Sequence, residues 1–141
     1  MSQGNVELHR RAMAAYNGRD IEAFIAYCHP EIEFHSVMDA IGGAVYRGHD
    51  GLRSYHRDTE EAWGDDIRLE PEAYFDLGEH TLSFLVARGR GSQSGVEVVL
   101  AGAQVLRWRD GLIVFHRGYA DREDALMDLG VSEEDLEPIA P

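Results

Sequence analysis

The feature that most constrains this chain is the Asp110-Gly111 pair, set between Val96–Arg109 and Leu112–Ala120, two runs rich in Val, Leu, Ile, Trp and Phe. A type I′ turn needs positive φ at both central residues, and Asp-Gly adopts it readily, so the pair predicts a tight β-hairpin of defined register. Alternate residues of a strand point to opposite sides. Leu100, Gln104, Leu106 and Trp108 therefore share one face of the first strand, and Val114, His116 and Gly118 one face of the second. Asp121 then opens a short helix through Ala125, Leu126 and Leu129, closed by Gly130. This order places His116, Tyr119 and Asp121 where a two-layer fold would open its pocket.

Upstream, Asn5–Asn17 contains neither Gly nor Pro before Asn17-Gly18, and Val6, His9, Met13 and Tyr16 recur at helical spacing. Asp20 caps a second helix carrying Ile21, Phe24, Ile25 and Cys28, expected to stop at His29-Pro30 because the residue before proline resists helical backbone. Ile32–Val37 reads as a strand and Asp39–Ala44, with Gly42-Gly43, as a flexible loop. A third helix after Gly48 bears Leu52, Tyr55, His56, Thr59 and Trp63 and ends near Gly64. Arg68–Asp76, His80–Arg90, Val96–Arg109 and Leu112–Ala120 then predict four consecutive antiparallel strands. Helices first and strands afterwards imply an α+β domain, with the helices on one face of a curved sheet around a cavity.

At 141 residues and 44% hydrophobic content, the chain suits one domain with one core. We place that core at residues 5–130, followed by a solvated acidic tail, 131–141, with a short helix capped by Ser132 and Asp135. A formal charge of −13 disfavours nucleic acid and anionic membranes as partners. All 13 basic residues are Arg; without Lys there is no Schiff-base chemistry, pyridoxal phosphate attachment or phosphate-loop lysine. The single Cys28 forms no internal disulfide, and no apolar run approaches the roughly 20 residues of a membrane span. MSQGNVELHRR lacks an apolar signal core, so the expected setting is cytoplasmic.

Two residues carry candidate proton chemistry. Asp121 has two readings: a base at the end of a strand near His116, or the N-cap of a helix whose first turn, Arg122-Glu123-Asp124, is acidic. His116 reads either as a proton shuttle or as a hydrogen-bonded wall of the pocket. Alternation turns Ser36 inward with Ile32 and Phe34, and His35 outward. Gln104 buries a neutral amide that needs protein partners or a ligand. Arg88-Gly-Arg-Gly91 is explained by turn geometry. His56 and Glu60 are spaced i, i+4 but no third ligand accompanies them, so neither metal nor cofactor is expected.

Several segments resemble the nuclear transport factor 2-like superfamily over about residues 5–130, and within it the SnoaL-like group that includes polyketide cyclases and relatives of ketosteroid isomerase. They are Ala15-Tyr-Asn-Gly-Arg-Asp20-Ile-Glu-Ala-Phe24, Pro30-Glu-Ile-Glu-Phe-His35, Tyr46-Arg-Gly-His-Asp-Gly-Leu52 and Leu106-Arg-Trp-Arg-Asp-Gly-Leu-Ile113 through Tyr119-Ala-Asp121. The resemblance implies a cone of three N-terminal helices in a curled, cystatin-like sheet of antiparallel or mixed strands, with a short C-terminal helix. Steroid isomerisation needs a carboxylate base and an oxyanion hole made of a tyrosine and a protonated aspartic acid. Alignment puts Ala12 at the tyrosine position, Ser36 at the base and Gln104 at the acid, so that activity is not expected. The SnoaL-like cyclases resemble a different solution, an aspartate after the last strand, and Asp121 matches it.

The expectation is a protein that binds a small, apolar or aromatic carbonyl compound. Proton transfer would fall to Asp121 and His116; Tyr16, Phe34, Ser36, Tyr55, His56, Trp63, Gln104, Leu106 and Trp108 would form the binding wall. The rivals are a non-catalytic ligand-binding or dimerisation module and a dehydratase or epoxide hydrolase. A homodimer is expected through Val99, Ala101, Ala103 and Val105 on the outer sheet face.

Overall fold

Two helices, α1 (Ser2–Asn17) and α2 (Ile21–Ile25), open the chain and lead into β1 (Cys28–His35). There follow β2 (Val45–Arg47), α3 (Gly48–Trp63), β3 (Arg68–Leu77), β4 (His80–Arg90), β5 (Glu97–Arg109), β6 (Leu112–Tyr119), α4 (Arg122–Leu129) and a 3-10 turn, Glu133–Asp135. The structure, a computed structural model, describes residues 2–36, 45–64 and 66–141. The loop expected over Asp39–Ala44 lies outside the described residues. No helix among them is long and apolar enough to cross a membrane.

The hairpin forms as its turn residues require. Asp110 (φ 53°) and Gly111 (φ 77°) both adopt positive φ, and β5 meets β6 with Gln104 opposite Gly118 and Leu106 opposite His116. Gly102 stands where no side chain fits, since a Cβ there would collide with the Tyr119 carbonyl oxygen. The meander of β3 to β6 is antiparallel throughout. It belongs to an open six-stranded sheet of order β2-β1-β6-β5-β4-β3, in which β1 runs parallel to β6. The fold is therefore α+β around a mixed sheet.

Three local departures have physical causes. The second helix is only five residues long, capped by the Asp20 carboxylate on the Ala23 N–H at 3.1 Å; Cys28 and Pro30 belong to β1 instead. Pro30 is accommodated because the β1–β6 ladder is interrupted between Cys28 and Glu33. A register shift between Arg107 and Trp108 breaks the alternation in β6. Ile113, rather than Val114, faces the inner core with Trp108, while Val114 and Phe115 both reach the outer groove beside Arg107 and Arg109. Finally, the tail is tied down: Ile139 bridges Tyr74 through N–H to O bonds of 2.9 and 2.7 Å, and Arg10 donates to the Ala140 carbonyl at 2.6 Å.

The sheet has two covered faces. On the inner one, α1 to α3 bury Ala12, Phe24, Leu52 and Tyr55 against Ile32, Phe34, Leu106, Trp108 and Ile113. On the outer one, α4 lays Ala125 and Leu126 over Phe75, Leu82, Phe84, Ala103, Val105 and Tyr119. This corrects the expected self-association surface. Ala103 and Val105 are buried within the chain by its own helix, leaving Val99, 52% exposed, and Ala101 open on that face.

Candidate functional site

Between the inner face and the helices lies a cavity of about 20 Å³. α1 contributes His9, Ala12, Met13 and Tyr16; Phe24 and Tyr55 come from α2 and α3; Phe34 and Ser36 lie in and just after β1; Gln104, Leu106 and His116 come from β5 and β6; and Ile67 and Leu69 complete the wall. A volume of this size admits a water molecule or two. Anything larger requires lining side chains to move.

Of the expected site residues, Tyr16, Phe34, Ser36, Tyr55, Gln104, Leu106 and His116 converge on this cavity. The remaining four do not. His56 stands at a neighbouring cavity of about 10 Å³, which shares Tyr16, Phe24 and Tyr55 as a common wall, and its Nε2 lies 3.5 Å from Glu60. Trp63 is half-buried across the sheet end, where it packs on Gly89. Trp108 is buried in the core behind the cavity, with its indole turned to β4. Asp121 is exposed, and its carboxylate accepts from the Glu123 N–H at 2.9 Å as the N-cap of α4. The geometry separates Asp121 from His116 because the strand end turns α4 onto the outer face of the sheet.

His116 is the most distinctive group in the wall. Its ring stacks on Phe34 with centroids 4.1 Å apart and planes 16° from parallel. Its Nδ1 is buried and has no hydrogen-bond partner among the described residues. Burial, reinforced by the neighbouring His9, pushes its pKa down to about 3; the carbonyls of His35 and His116 itself favour protonation and are outweighed. The imidazole is neutral at every physiological pH. Tyr16 and Tyr55 close another side of the cavity with a 2.7 Å hydroxyl pair, and burial raises the Tyr16 pKa well above its ordinary value.

His9 is the site residue that sequence reasoning missed. Its Nδ1 lies 2.9 Å from Thr81 Oγ1 and its Nε2 3.4 Å from Gln104 Oε1, while the Trp108 indole donates to the same threonine oxygen at 2.8 Å. Burial lowers its pKa to about 4, against the opposing effect of the Gln104 hydrogen bond. A signal was present: a lone histidine interrupts the Val6, Met13, Tyr16 stripe, and Thr81 and Ser83 alternate along β4. The buried amide of Gln104 thus finds one of its partners inside the protein.

The three positions that would carry steroid isomerase chemistry, Ala12, Ser36 and Gln104, all line the cavity. They bring a methyl, a hydroxyl and an amide to places where that reaction needs a phenol and two carboxyl groups. No carboxylate is among the described lining residues. The arrangement can accept and donate hydrogen bonds between neutral groups within an apolar wall.

Comparison with known proteins agrees with this architecture. An NTF2-like protein of unknown function from Burkholderia pseudomallei K96243 superposes with a TM-score of 0.75 at 21% identity, covering 88% of this chain and 95% of that one. TerC, co-crystallised with polyporic acid, gives 0.73 at 23% identity over 89% and 97%. A putative polyketide cyclase from Xanthomonas campestris pv. campestris gives 0.72 at 17% identity over 89% and 96%. These similarities establish the fold. No curated protein matches the chain. The SnoaL-like domain family model matches residues 9–116, from the first cavity histidine to the last, and the chain belongs to that family.

Proposed function

We propose that this protein binds a small, mostly apolar carbonyl compound within the cone, the lining side chains moving aside to admit it, held by hydrogen bonds to His116 and Gln104. The observation that carries the reading is the buried Nδ1 of His116, without a partner among the described residues in a wall that is otherwise largely aromatic and aliphatic. A buried polar atom left without a partner costs about 1–3 kcal/mol, and a ligand that supplies one recovers it. Two structural relatives, TerC co-crystallised with polyporic acid and a putative polyketide cyclase, support a small organic ligand in a cone of this kind.

Proton transfer is the second reading, favoured by the placing of His116 beside an amide. Nδ1 would take a proton from the carbon next to the carbonyl, Gln104 would donate to the resulting enolate oxygen, and the proton would return to another carbon. With its pKa near 3, His116 is a weak base for that step, so binding ranks first. Asp121 has no part in either reading beyond capping α4.

The test is to add ring ketones and enones to the protein in D2O and follow both partners by NMR. Binding is expected to shift the His116 ring signals and to weaken by about tenfold in His116→Phe, the loss of one hydrogen bond. Exchange of the ligand's α-protons, faster than in buffer and abolished in that variant, would establish the second reading. Ring signals unmoved by every compound would refute both.

A further inference from the structure

We propose that Trp108, Thr81 and His9 form a buried relay that fixes the direction of the Gln104 amide, so that the cone selects ligands presenting a hydrogen-bond acceptor there. The inference rests on the binding reading above and narrows its ligand class. It follows from counting hydrogens. An indole N–H only donates, so Trp108 Nε1, 2.8 Å from Thr81 Oγ1, makes that oxygen an acceptor. The hydroxyl still has one hydrogen to give.

Thr81 is fully buried, so bulk water cannot take that hydrogen. His9 Nδ1, 2.9 Å away, is the acceptor at hand. An imidazole that accepts at Nδ1 carries its proton on Nε2, and there it faces Gln104 Oε1 at 3.4 Å. Burial keeps His9 in this singly protonated form, which gives the relay one direction rather than two donors. With its oxygen engaged by His9, Gln104 turns the NH2 arm of its amide toward the cavity it lines.

On the sheet, Gln104 lies opposite Gly118 and Leu106 opposite His116, so Gln104 and His116 are diagonal neighbours on one face. A ligand oxygen placed beside Gln104 meets the amide N–H, with the His116 ring as its neighbour on the same face. A carbonyl fits the amide donor; a group that only donates, such as an indole N–H, leaves the amide hydrogens with nothing to accept them. The reversed relay, with the proton on His9 Nδ1, would leave the Thr81 hydrogen stranded and turn the amide oxygen to the ligand, selecting donors instead. Trp108, Thr81 and His9 are positioning residues in this scheme: they act on the ligand only through Gln104.

The His9 tautomer decides the relay, and long-range nitrogen–proton NMR of the histidine-labelled full chain at pH 7 reads it without any ligand. The Nε2–H form is expected; the Nδ1–H form would overturn the relay whatever the protein binds. Indan-1-one, which only accepts, and indole, whose N–H only donates, then probe selectivity, with the ketone expected to bind about tenfold tighter, as loss of one matched hydrogen bond predicts. Thr81→Val removes the hinge of the relay at constant shape and should bring the two compounds within about threefold, while Thr81→Ser should restore the preference. Equal affinities in the parent protein would overturn the selectivity. If neither compound binds while His9 shows the expected tautomer, the carbonyl-binding reading fails and the relay's direction stands, so the two failures are distinguishable.

Discussion

Phe34 covers one face of the His116 imidazole, ring on ring at 4.1 Å, and the two residues are partners in the parallel register of β1 and β6. The stack is what keeps water from that face of the histidine. Phe34→Leu should therefore raise the His116 pKa by at least about one unit toward 6.5 and lower stability by about 1–2 kcal/mol. A histidine-resolved NMR titration checks the first, urea denaturation the second. An unmoved pKa would mean that the helices, not Phe34, desolvate the ring.

Stability should fall with acidification from the two cavity histidines before most carboxylates matter. Their folded pKa values, about 4 for His9 and about 3 for His116, lie below the ordinary 6.5, so in acid the unfolded chain binds protons that the folded chain refuses. Stability then rises with pH: the histidine penalty is absent above about 6.5 and grows as pH drops toward the folded values. By pH 5 it reaches about 2 kcal/mol per histidine. Urea midpoints at pH 7.5, 6 and 5 should show the decline, and His116→Phe should roughly halve it.

Asp121→Ala should cost about 1 kcal/mol, the ordinary loss of an N-cap, while leaving affinity for ring ketones unchanged. Asp121→Asn, which still caps, should restore most of the stability. A large fall in ligand affinity or turnover with little change in stability would return Asp121 to the chemistry.

Gly102→Ala should destabilise the chain by about 2–3 kcal/mol, because the new methyl meets the Tyr119 backbone carbonyl, which has little freedom to retreat. The Arg122 guanidinium, which donates to the Gly102 carbonyl at 3.0 Å, ties the same strand to α4. Thermal unfolding with near-wild-type midpoints would show that the end of β6 yields there.

Much of the fold was legible because its signals are local. Asp110-Gly111 sets a turn within four residues, Asp20 caps its own helix, and alternation alone turned Ser36 and Gln104 inward. What escaped was settled by partners distant in the chain. Nothing around Cys28 and Pro30 announces a strand until β6 is there to pair with it. The bulge that turns Val114 outward leaves no mark on the sequence, because one extra residue in an apolar run looks like any other. His9 was visible as a polar break in an apolar stripe, but its meaning lies in Thr81 and Gln104, which only the folded sheet brings to it. Asp121 carried both of its readings in the same four residues, and only the side of the sheet that α4 occupies tells them apart.

The parallel seam between β1 and β6 bears on how the chain comes to have an interior at all. Each junction of the meander closes over a short turn, a quick and inexpensive event for a polypeptide. The seam instead joins the first strand to the last and must gather in everything between them, which makes it the slow, high-order contact of the fold. Phe34 and Ser36 arrive from one side of that seam and His116 from the other. The sheet can thus take shape early, while the container is sealed only when the two ends of the topology meet.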